Sequence, residues 1–240
     1  MRFLLIHGGC HGAWCWERVL PHLLGAVPID LPRGTLDDGI AATCAAVEAI
    51  GEPVTLVGHS LGGMTISGAA ERMPERIAHL IYLSALLPVD GEAALTIAAP
   101  KLDAAEATIL SADGATTWLD PKAAGATYYQ DCDAETVAWV LAHAGPTDLG
   151  YIIQRVTLTE RFAGVPKTYI HCTLDRAIQP EAQHAMTARY PGIATAELPS
   201  SHSSFLSMPE RLAALLLSLP VAATPKLASD AAGRSSCRRA

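Results

Sequence analysis

The sequence predicts an α/β protein with a mostly parallel sheet that is covered by helices on both faces. Short β-rich runs alternate with longer helical segments from residue 1 to about residue 85, and the same alternation resumes near residue 165. This pattern is typical of parallel strands joined by crossover helices. A chain of 240 residues is also long enough for one domain with a sizeable core.

The predicted elements follow one another in a regular order. In the first part of the chain, the sequence predicts strands over 2–7, 26–31, 53–58 and 77–83, and helices over 15–24, 36–50 and 61–72. In the last part, it predicts strands over 166–172 and 193–198, and helices over 180–189 and 204–217.

A long segment interrupts this order. About eighty residues separate strands 77–83 and 166–172, whereas ordinary crossover loops have about 2 to 6 residues. We therefore expect an inserted helical cap. The predicted parts are a core of residues 1–86 and 164–219, a cap of residues 87–163 and a loose, polar tail of residues 220–240.

The interpretation of the cap leaves one alternative open. Its helical stretches are predicted at 101–110, 134–143 and 147–158, the last following Pro146. Its aromatic residues line a substrate pocket or form the cap's own small core; they are Trp118, Tyr128, Tyr129 and Trp139.

Composition excludes several classes of protein. Half of the residues are apolar and 17% are charged, which excludes a disordered chain, and no apolar run approaches the roughly 20 residues of a membrane span. The formal charge of -7 argues against nucleic acid and membrane partners. Six scattered cysteines and an N-terminus without signal-peptide features favour a cytoplasmic protein with free thiols. We expect a small-molecule partner, and the sequence leaves a homodimer open.

The strongest motif is Gly58-His59-Ser60-Leu61-Gly62, which lies between a β-rich run and a helical pattern. Gly-x-Ser-x-Gly in this context is typical of a nucleophile elbow, a turn so tight that the serine backbone is strained. The following helix N-terminus favours an anionic oxygen nearby. The motif predicts Ser60 as a nucleophile rather than part of a structural turn.

A serine nucleophile needs a base, and the base needs a group that fixes its tautomer. Asp175 follows strand 166–172 and His202 follows strand 193–198, so the chain order Ser, Asp, His fits the elbow. We predict His202 as the base and Asp175 as its acid, with Asp90 as the competing carboxylate. Packing or surface roles are the interpretation for His22, His59, His79, His143, His171 and His184.

The loop after the first strand, His7-Gly8-Gly9-Cys10-His11-Gly12, is expected to supply an oxyanion donor. We predict that Gly9 N–H and Leu61 N–H form the pair, each stabilising a tetrahedral oxyanion by about 3 kcal/mol. Zinc binding by His7, Cys10, His11 and Cys15 is the alternative. We expect no metal because the spacing contains no Cys-x-x-Cys pair and no second ligand cluster. A catalytic thiol at Cys10 or Cys172 is not favoured, since neither lies in an elbow.

On these motifs the chain resembles the plant methylesterase and hydroxynitrile lyase branch of the α/β-hydrolases and its bacterial carboxylesterase relatives. The residues that carry the resemblance are His7 to Trp16, Gly58 to Gly63, Tyr169 to Asp175, Gln179 to Gln183 and His202 to Pro209. The resemblance implies the α/β-hydrolase fold, a triad of Ser60, Asp175 and His202, and an apolar pocket under a cap. It implies no cofactor.

Two positions separate the chain from the lyases of this branch. Those lyases carry a hydroxyl residue after the first-strand histidine and a lysine after the catalytic histidine, whereas this chain has Gly8 and Ser203. Departing cyanide would lack a cation here, while ester hydrolysis needs none. We expect Gly8, His11 and Ser203 to contact the substrate.

The sequence therefore favours a serine carboxylesterase that hydrolyses small, partly apolar esters through an acyl-enzyme. Two alternatives stay open: a hydroxynitrile-lyase-like enzyme, and a non-catalytic receptor that binds a small ligand on the same fold.

Overall fold

A six-stranded parallel sheet forms the centre of the fold in the computed structural model, which describes residues 2–97 and 107–220. In chain order the strands are β1 (Arg2–Ile6), β2 (Val27–Ile29), β3 (Val54–His59), β4 (Ile77–Leu83), β5 (Thr108–Leu110), β6 (Thr116–Leu119), β7 (Thr147–Asp148), β8 (Lys167–Cys172) and β9 (Ala194–Leu198). The central sheet has the order β2-β1-β3-β4-β8-β9. Its strands all run parallel, so their carboxyl ends meet at one edge.

Helices cover both faces of this sheet. They are α1 (Leu36–Ile50), α2 (Gly62–Arg72), α3 (Ala124–Tyr128), α4 (Ala134–His143), α5 (Leu149–Ile153), α6 (Glu160–Ala163), α7 (Pro180–Thr187), α8 (Ser204–Ser207) and α9 (Pro209–Ser218). Successive side chains of a strand point to opposite faces. In β1, Leu4 and Ile6 accordingly join one buried cluster, while Phe3 and Leu5 join the other. No helix within the described ranges combines the length and apolar character needed to cross a membrane.

The longest predicted helix matches the observed one because its ends carry strong local signals. Thr35 caps α1: its side chain accepts a hydrogen bond from Asp38 N–H, and the Asp38 carboxylate accepts one from Thr35 N–H. Gly51 ends the helix in the left-handed conformation, with φ 78°. The fold class is confirmed, and the six predicted core strands occur in the predicted order.

Two predicted helices are interrupted by proline. The prediction over 15–24 is wrong: the chain forms short 3₁₀ turns at Ala13–Trp16 and Leu20–His22. The predicted helix 204–217 is divided into α8 and α9 at Met208. Pro21 and Pro209 lack an N–H, so each starts a new turn instead of continuing the preceding one.

The segment between β4 and β8 differs in part from the predicted helical cap. It contains an antiparallel sheet, β5-β6-β7, as well as α3 to α6. The predicted helix 134–143 is confirmed as α4. The prediction over 147–158 is wrong, because Thr147 pairs with Thr117 of β6 and only Leu149–Ile153 is helical. The predicted helix 101–110 lies largely outside the described residues, as does nearly all of the predicted tail, and Thr108–Leu110 is a strand.

Candidate active site

Ser60 lies in a tight turn between β3 and α2. Its φ of 53° is left-handed, a conformation that is strained for a serine. A Cβ added at Gly58 would lie 2.8 Å from Gly62 O, and one added at Gly62 would lie 2.7 Å from His7 O. The turn therefore requires both glycines. The Ser60 carbonyl accepts hydrogen bonds of 3.0 Å from the N–H groups of Gly63 and Leu86, which fix the turn.

His202 and Asp175 form a buried pair at the ends of neighbouring strands. Asp175 follows β8 and His202 follows β9, and their exposed fractions are 3% and 1%. His202 Nδ1 donates to Asp175 Oδ2 over 2.7 Å. Asp175 Oδ1 accepts from the N–H groups of Ala177 at 2.7 Å and Ile178 at 3.0 Å. The carboxylate is thus fixed by its own loop while it orients the imidazole.

Ser84 is a member of this network that sequence reasoning missed. It follows β4 directly, is completely buried and has a left-handed φ of 39°. Its hydroxyl donates to Asp175 Oδ2, the oxygen that also accepts from His202. Asp90, the competing carboxylate, is exposed and accepts from Leu158 N–H instead. A serine after a strand carries no local signal for this role, because its partner is 91 positions away.

His59 connects the Ser60 turn to the His202 loop. Its Nε2–H donates to the His202 carbonyl over 3.0 Å, and the two rings lie 4.5 Å apart. Burial lowers the pKa of His59 well below its usual value, and the neighbouring histidines lower it further. His59 is therefore neutral and holds the backbone that carries His202.

One cavity of about 360 Å³ brings together most of the predicted site residues. Ser60, His202, Gly9, Leu61 and His11 line it. Its apolar wall comes from both the core and the segment between β4 and β8, through Leu86, Ala94, Leu95, Leu119, Tyr128, Leu149, Ile152 and Ile178. The cavity therefore combines the elbow serine with a largely apolar surround.

Two predicted substrate contacts lie elsewhere. Gly8 lines a neighbouring cavity of about 260 Å³ rather than the cavity of Ser60. A Cβ at Gly8 would lie 2.7 Å from Ser60 Cβ, so a hydroxyl-bearing residue does not fit there without a shift. Ser203 is completely buried and is not among the described residues that line either cavity. Glycine at one position and burial at the other leave no side chain to reach a substrate.

The loop of residues 8–12, hereafter the glycine loop, faces the N-terminus of α2. Within the described part of the chain, the N–H groups of Gly9 and Leu61 donate to no protein acceptor. The next N–H, that of Cys10, is occupied by a 2.6 Å hydrogen bond to Thr147 Oγ1. Gly9 and Leu61 also lie next to each other, since a Cβ at Gly9 would be 3.7 Å from the Leu61 side chain.

His11 supports this loop. Its Nδ1–H donates to Gly9 O over 2.7 Å, so Nε2 is the nitrogen that accepts from Tyr129 O–H at 2.9 Å. Burial lowers the pKa of His11 to about 4, which keeps the ring neutral. Tyr129 acts here as a second layer behind the cavity wall, whereas Tyr128 lines the cavity itself.

The tryptophans of the inserted segment lie outside the cavity. Trp118 is 44% exposed, and its Nε1–H donates to Thr116. Trp139 packs edge-on against Trp14, with ring centroids 5.2 Å apart, and against His143 at 4.6 Å. Trp139 therefore packs the segment against Trp14 of the core, Trp118 lies at the surface, and neither is among the described residues that line the cavity.

The residues considered for zinc have other partners. Leu31 N–H donates to His7 Nε2, so His7 Nδ1 carries the proton that is donated to Gly8 O. Burial raises the pKa of the Cys10 and Cys15 thiols, which disfavours thiolates. Among the described residues, no three His, Cys, Asp or Glu side chains are grouped as metal ligands.

A family model described as "Alpha/beta hydrolase family" matches residues 3–215. The chain belongs to the α/β-hydrolase family. A solved structure of a pyrethroid hydrolase from Sphingobium faniae JZ-2 shares the fold, with a TM-score of 0.79 at 24% identity over 90% of this chain and 96% of that one. A variant of tomato methylketone synthase I in complex with β-ketoheptanoate gives 0.77 at 26% identity, with the same coverages.

Three relatives of this α/β-hydrolase match it over most of the chain, and two of them carry names of esterases. Salicylic acid-binding protein 2 of Nicotiana tabacum is 29% identical, and the match covers 90% of this chain and 96% of that protein. Methylesterase 1 of Arabidopsis thaliana is 28% identical, with coverages of 90% and 95%. Polyneuridine aldehyde esterase of Rauvolfia serpentina is also 28% identical, with coverages of 90% and 94%. The two relatives named as esterases support a hydrolase with esterase activity.

Proposed function

We propose that this α/β-hydrolase is a serine carboxylesterase that cleaves small, partly apolar carboxylic esters through an acyl-enzyme. One observation carries the proposal: the strained elbow serine, Ser60, and the Asp175-paired His202 line one largely apolar cavity. Relatives named as methylesterases and esterases support the same reaction class.

In the first half of the reaction, Ser60 Oγ attacks the ester carbonyl while His202 Nε2 takes the hydroxyl proton. Nδ1 is the protonated nitrogen because it donates to Asp175, so Nε2 has the free lone pair. The tetrahedral intermediate then expels the alcohol, which receives the proton from His202. Water, deprotonated by His202, releases the acid and restores Ser60.

The glycine loop and the start of α2 would stabilise the oxyanion. The N–H groups of Gly9 and Leu61 have no acceptor among the described residues, and both residues line the cavity. Each preorganised donor of this kind stabilises a transition state by about 3 kcal/mol. These two donors complete the residues that a two-step acyl transfer needs.

The cavity supports an ester substrate better than a cyanohydrin. No lysine or arginine is among the described residues that line it, so a departing cyanide ion would meet no cation. Residues 87–163 supply part of its wall, including Leu119, Tyr128 and Leu149, which supports their proposed role as a cap. A volume of about 360 Å³ favours small acyl and alcohol groups.

The cysteines support a reducing compartment. Within the described residues, all five cysteines are unpaired. Free, mostly buried thiols are typical of proteins from the cytoplasm. We therefore retain the cytoplasm as the proposed site of action.

Hydrolysis of p-nitrophenyl acetate and butyrate tests the proposal. We expect Ser60→Ala to lower kcat/KM by about four orders of magnitude. Ser218→Ala is the matched control, because Ser218 is an exposed residue of α9 that bonds to Leu215 O. It should retain wild-type rates, and a fluorophosphonate should label the wild type and Ser218→Ala but not Ser60→Ala.

Equal rates in the wild type and Ser60→Ala would overturn the proposal, as would an unlabelled wild type. Cyanide release from mandelonitrile without ester hydrolysis would instead assign the chain to the lyases. A folded wild type that is inert in all three assays would favour a receptor.

A further inference from the structure

We propose that Thr147 is a positioning residue that fixes the glycine loop and so sets the strength of the oxyanion hole. The inference rests on the proposed esterase function. Thr147 belongs to β7, far from the glycine loop in sequence, and its hydroxyl contacts the loop at Cys10. Thr147 also lines the cavity of Ser60, but its hydroxyl is engaged with Cys10 and would act through the backbone geometry of the loop.

The segment 145–147 holds Cys10 on both sides. Cys10 N–H donates to Thr147 Oγ1 over 2.6 Å, and Gly145 N–H donates to Cys10 O over 3.1 Å. Cys10 has a left-handed φ of 62°, a conformation that is unfavourable for a non-glycine residue. Such a conformation persists only where the surroundings impose it. The two hydrogen bonds from the inserted segment are the constraints that impose it here.

The peptide unit between Gly9 and Cys10 is held at both ends. His11 Nδ1–H donates to its carbonyl oxygen, and Thr147 Oγ1 accepts from its N–H. A peptide unit is planar from one Cα to the next, so two such contacts fix its orientation and the position of Gly9 Cα. The Gly9 N–H, one of the two proposed oxyanion donors, belongs to the preceding peptide unit, whose carbonyl, Gly8 O, accepts from His7 Nδ1–H over 2.8 Å. It is joined to the fixed unit at Gly9 Cα, has no acceptor among the described residues and belongs to a residue that lines the cavity.

The threonine hydroxyl suits this role because its partners fix its direction. While accepting from Cys10 N–H, Thr147 Oγ1 also lies 3.6 Å from Cys10 Sγ, to which it donates. A Cβ at Gly9 would lie 3.1 Å from the same oxygen, so the loop packs directly against it. Valine has the same shape as threonine but cannot accept from Cys10 N–H.

Thr147 is held in the small sheet of the inserted segment, and its neighbour Asp148 binds the core. Thr147 pairs with Thr117 of β6. The next residue, Asp148, binds the loop after β2. Its Oδ2 accepts hydrogen bonds from Arg33 Nε–H at 2.6 Å and from Gly34 N–H at 2.7 Å. The contact with Arg33 holds the pKa of the Asp148 carboxyl below its usual value. The inserted segment thus binds the core at Asp148, the residue next to Thr147.

An oxyanion donor acts only where negative charge develops, so misplacing it should lower kcat and leave KM unchanged. We expect Thr147→Val to lower kcat for p-nitrophenyl butyrate by about 10²-fold, since small displacements of catalytic groups have effects of that size. Its affinity for a trifluoromethyl ketone, which forms an oxyanion on the enzyme, should fall by the same factor. Thr147→Ser keeps the hydroxyl and should restore kcat to within about threefold of wild type.

Thr116→Val is the matched control. Thr116 is on β6, pairs with Asp148 and accepts from exposed Trp118, but it does not line the cavity. The control should disturb the small sheet without changing kcat. The unfolding free energy of each variant is measured by urea titration. If Thr147→Val does not fold, Thr147→Ala replaces it, because alanine also removes the hydroxyl.

The outcomes separate this inference from the proposed function. Wild-type activity that disappears in Ser60→Ala upholds the esterase. An unchanged kcat in Thr147→Val or Thr147→Ala would then overturn only the proposed positioning role of Thr147. A loss of kcat that Thr147→Ser does not restore would also overturn it. Failure of the esterase itself appears earlier, as equal rates in the wild type and Ser60→Ala.

Discussion

At Asp175 the two carboxylate oxygens have separate sets of partners. Oδ1 accepts the N–H groups of Ala177 and Ile178, and Oδ2 accepts His202 Nδ1–H and the Ser84 hydroxyl. An ionised carboxylate offers about four lone-pair sites, and four donors occupy them. The carboxylate therefore cannot rotate without losing a hydrogen bond, and the His202 ring is fixed with it.

This arrangement predicts a measurable role for Ser84. Ser84→Ala removes one donor from Asp175 Oδ2, and a hydrogen bond to a charged group contributes about 1.5 to 3 kcal/mol. We expect kcat to fall by about tenfold in steady-state ester hydrolysis, because the carboxylate and His202 are less well ordered.

Ser84→Gly is the matched control for backbone strain. Glycine removes the same hydroxyl but accepts the left-handed φ of 39° without strain. Both variants should show the same fall in kcat. The unfolding free energy, measured by urea titration, should be higher for Ser84→Gly than for Ser84→Ala. Full activity in both variants would show that the hydroxyl does not orient Asp175.

At the level of elements, α2 packs unusually close to the sheet. A Cβ on Gly63 would lie 2.1 Å from Leu86 O, and one on Gly62 would lie 2.7 Å from His7 O and 2.9 Å from Ile6 O. These neighbours are backbone atoms that cannot move aside as a side chain can. The first turn of α2, directly after Leu61, is thus held against the end of β1, which leads into the glycine loop.

Gly62→Ala should therefore separate the two proposed oxyanion donors. We expect overpacking to lower the unfolding free energy by about 1 to 3 kcal/mol. The fold-decrease in kcat should be larger than the fold-change in KM. Gly125→Ala in α3 is the control, since its Cβ would make ordinary contact with Val137 at 3.5 Å. That variant should keep wild-type activity, and its unfolding free energy should rise by up to about 1 kcal/mol. A Gly62→Ala protein with native stability and kcat would contradict the close packing.

Local signals explain which elements could be predicted from sequence. The bounds of α1 and β4 were predicted because a capping box, a left-handed glycine and a continuous apolar run mark them. The short strands of the inserted segment were missed because β6 and β7 depend on pairing between residues about thirty positions apart. Periodicity cannot register such pairing, and Leu149–Ile153 alone gave the helical pattern over 147–158.

The site divides in the same way. The placement of Ser60, Asp175 and His202 follows from motifs at strand ends, and the structure brings these residues together. Ser84 and Thr147 could not be found, because a single hydroxyl residue has no motif and its partner is set by tertiary packing. Ser203 was expected in the pocket from its position beside His202, but the tight turn before α8 buries its side chain.

For the molecule as a whole, buried neutral histidines are a source of acid sensitivity. Burial lowers the pKa values of His7, His11, His59 and His171. Each ring must stay neutral in the folded state, while an unfolded chain accepts protons at pH values near 6.5. Between the folded and unfolded pKa values the unfolded state binds more protons, so stability rises with pH and falls on acidification.

His171 offers the clearest test of this effect, because no catalytic role is proposed for it. Its pKa is lowered to about 4 by burial and by His184, whose ring stacks at 4.4 Å. We expect the protein to lose up to about 3 kcal/mol through this group between pH 6.5 and pH 4. His171→Phe keeps a ring against Tyr169 but cannot be protonated, so its unfolding free energy should fall less steeply over that range. Urea unfolding of both proteins at several pH values measures the slopes, and parallel slopes would show that His171 titrates alike in the folded and unfolded states.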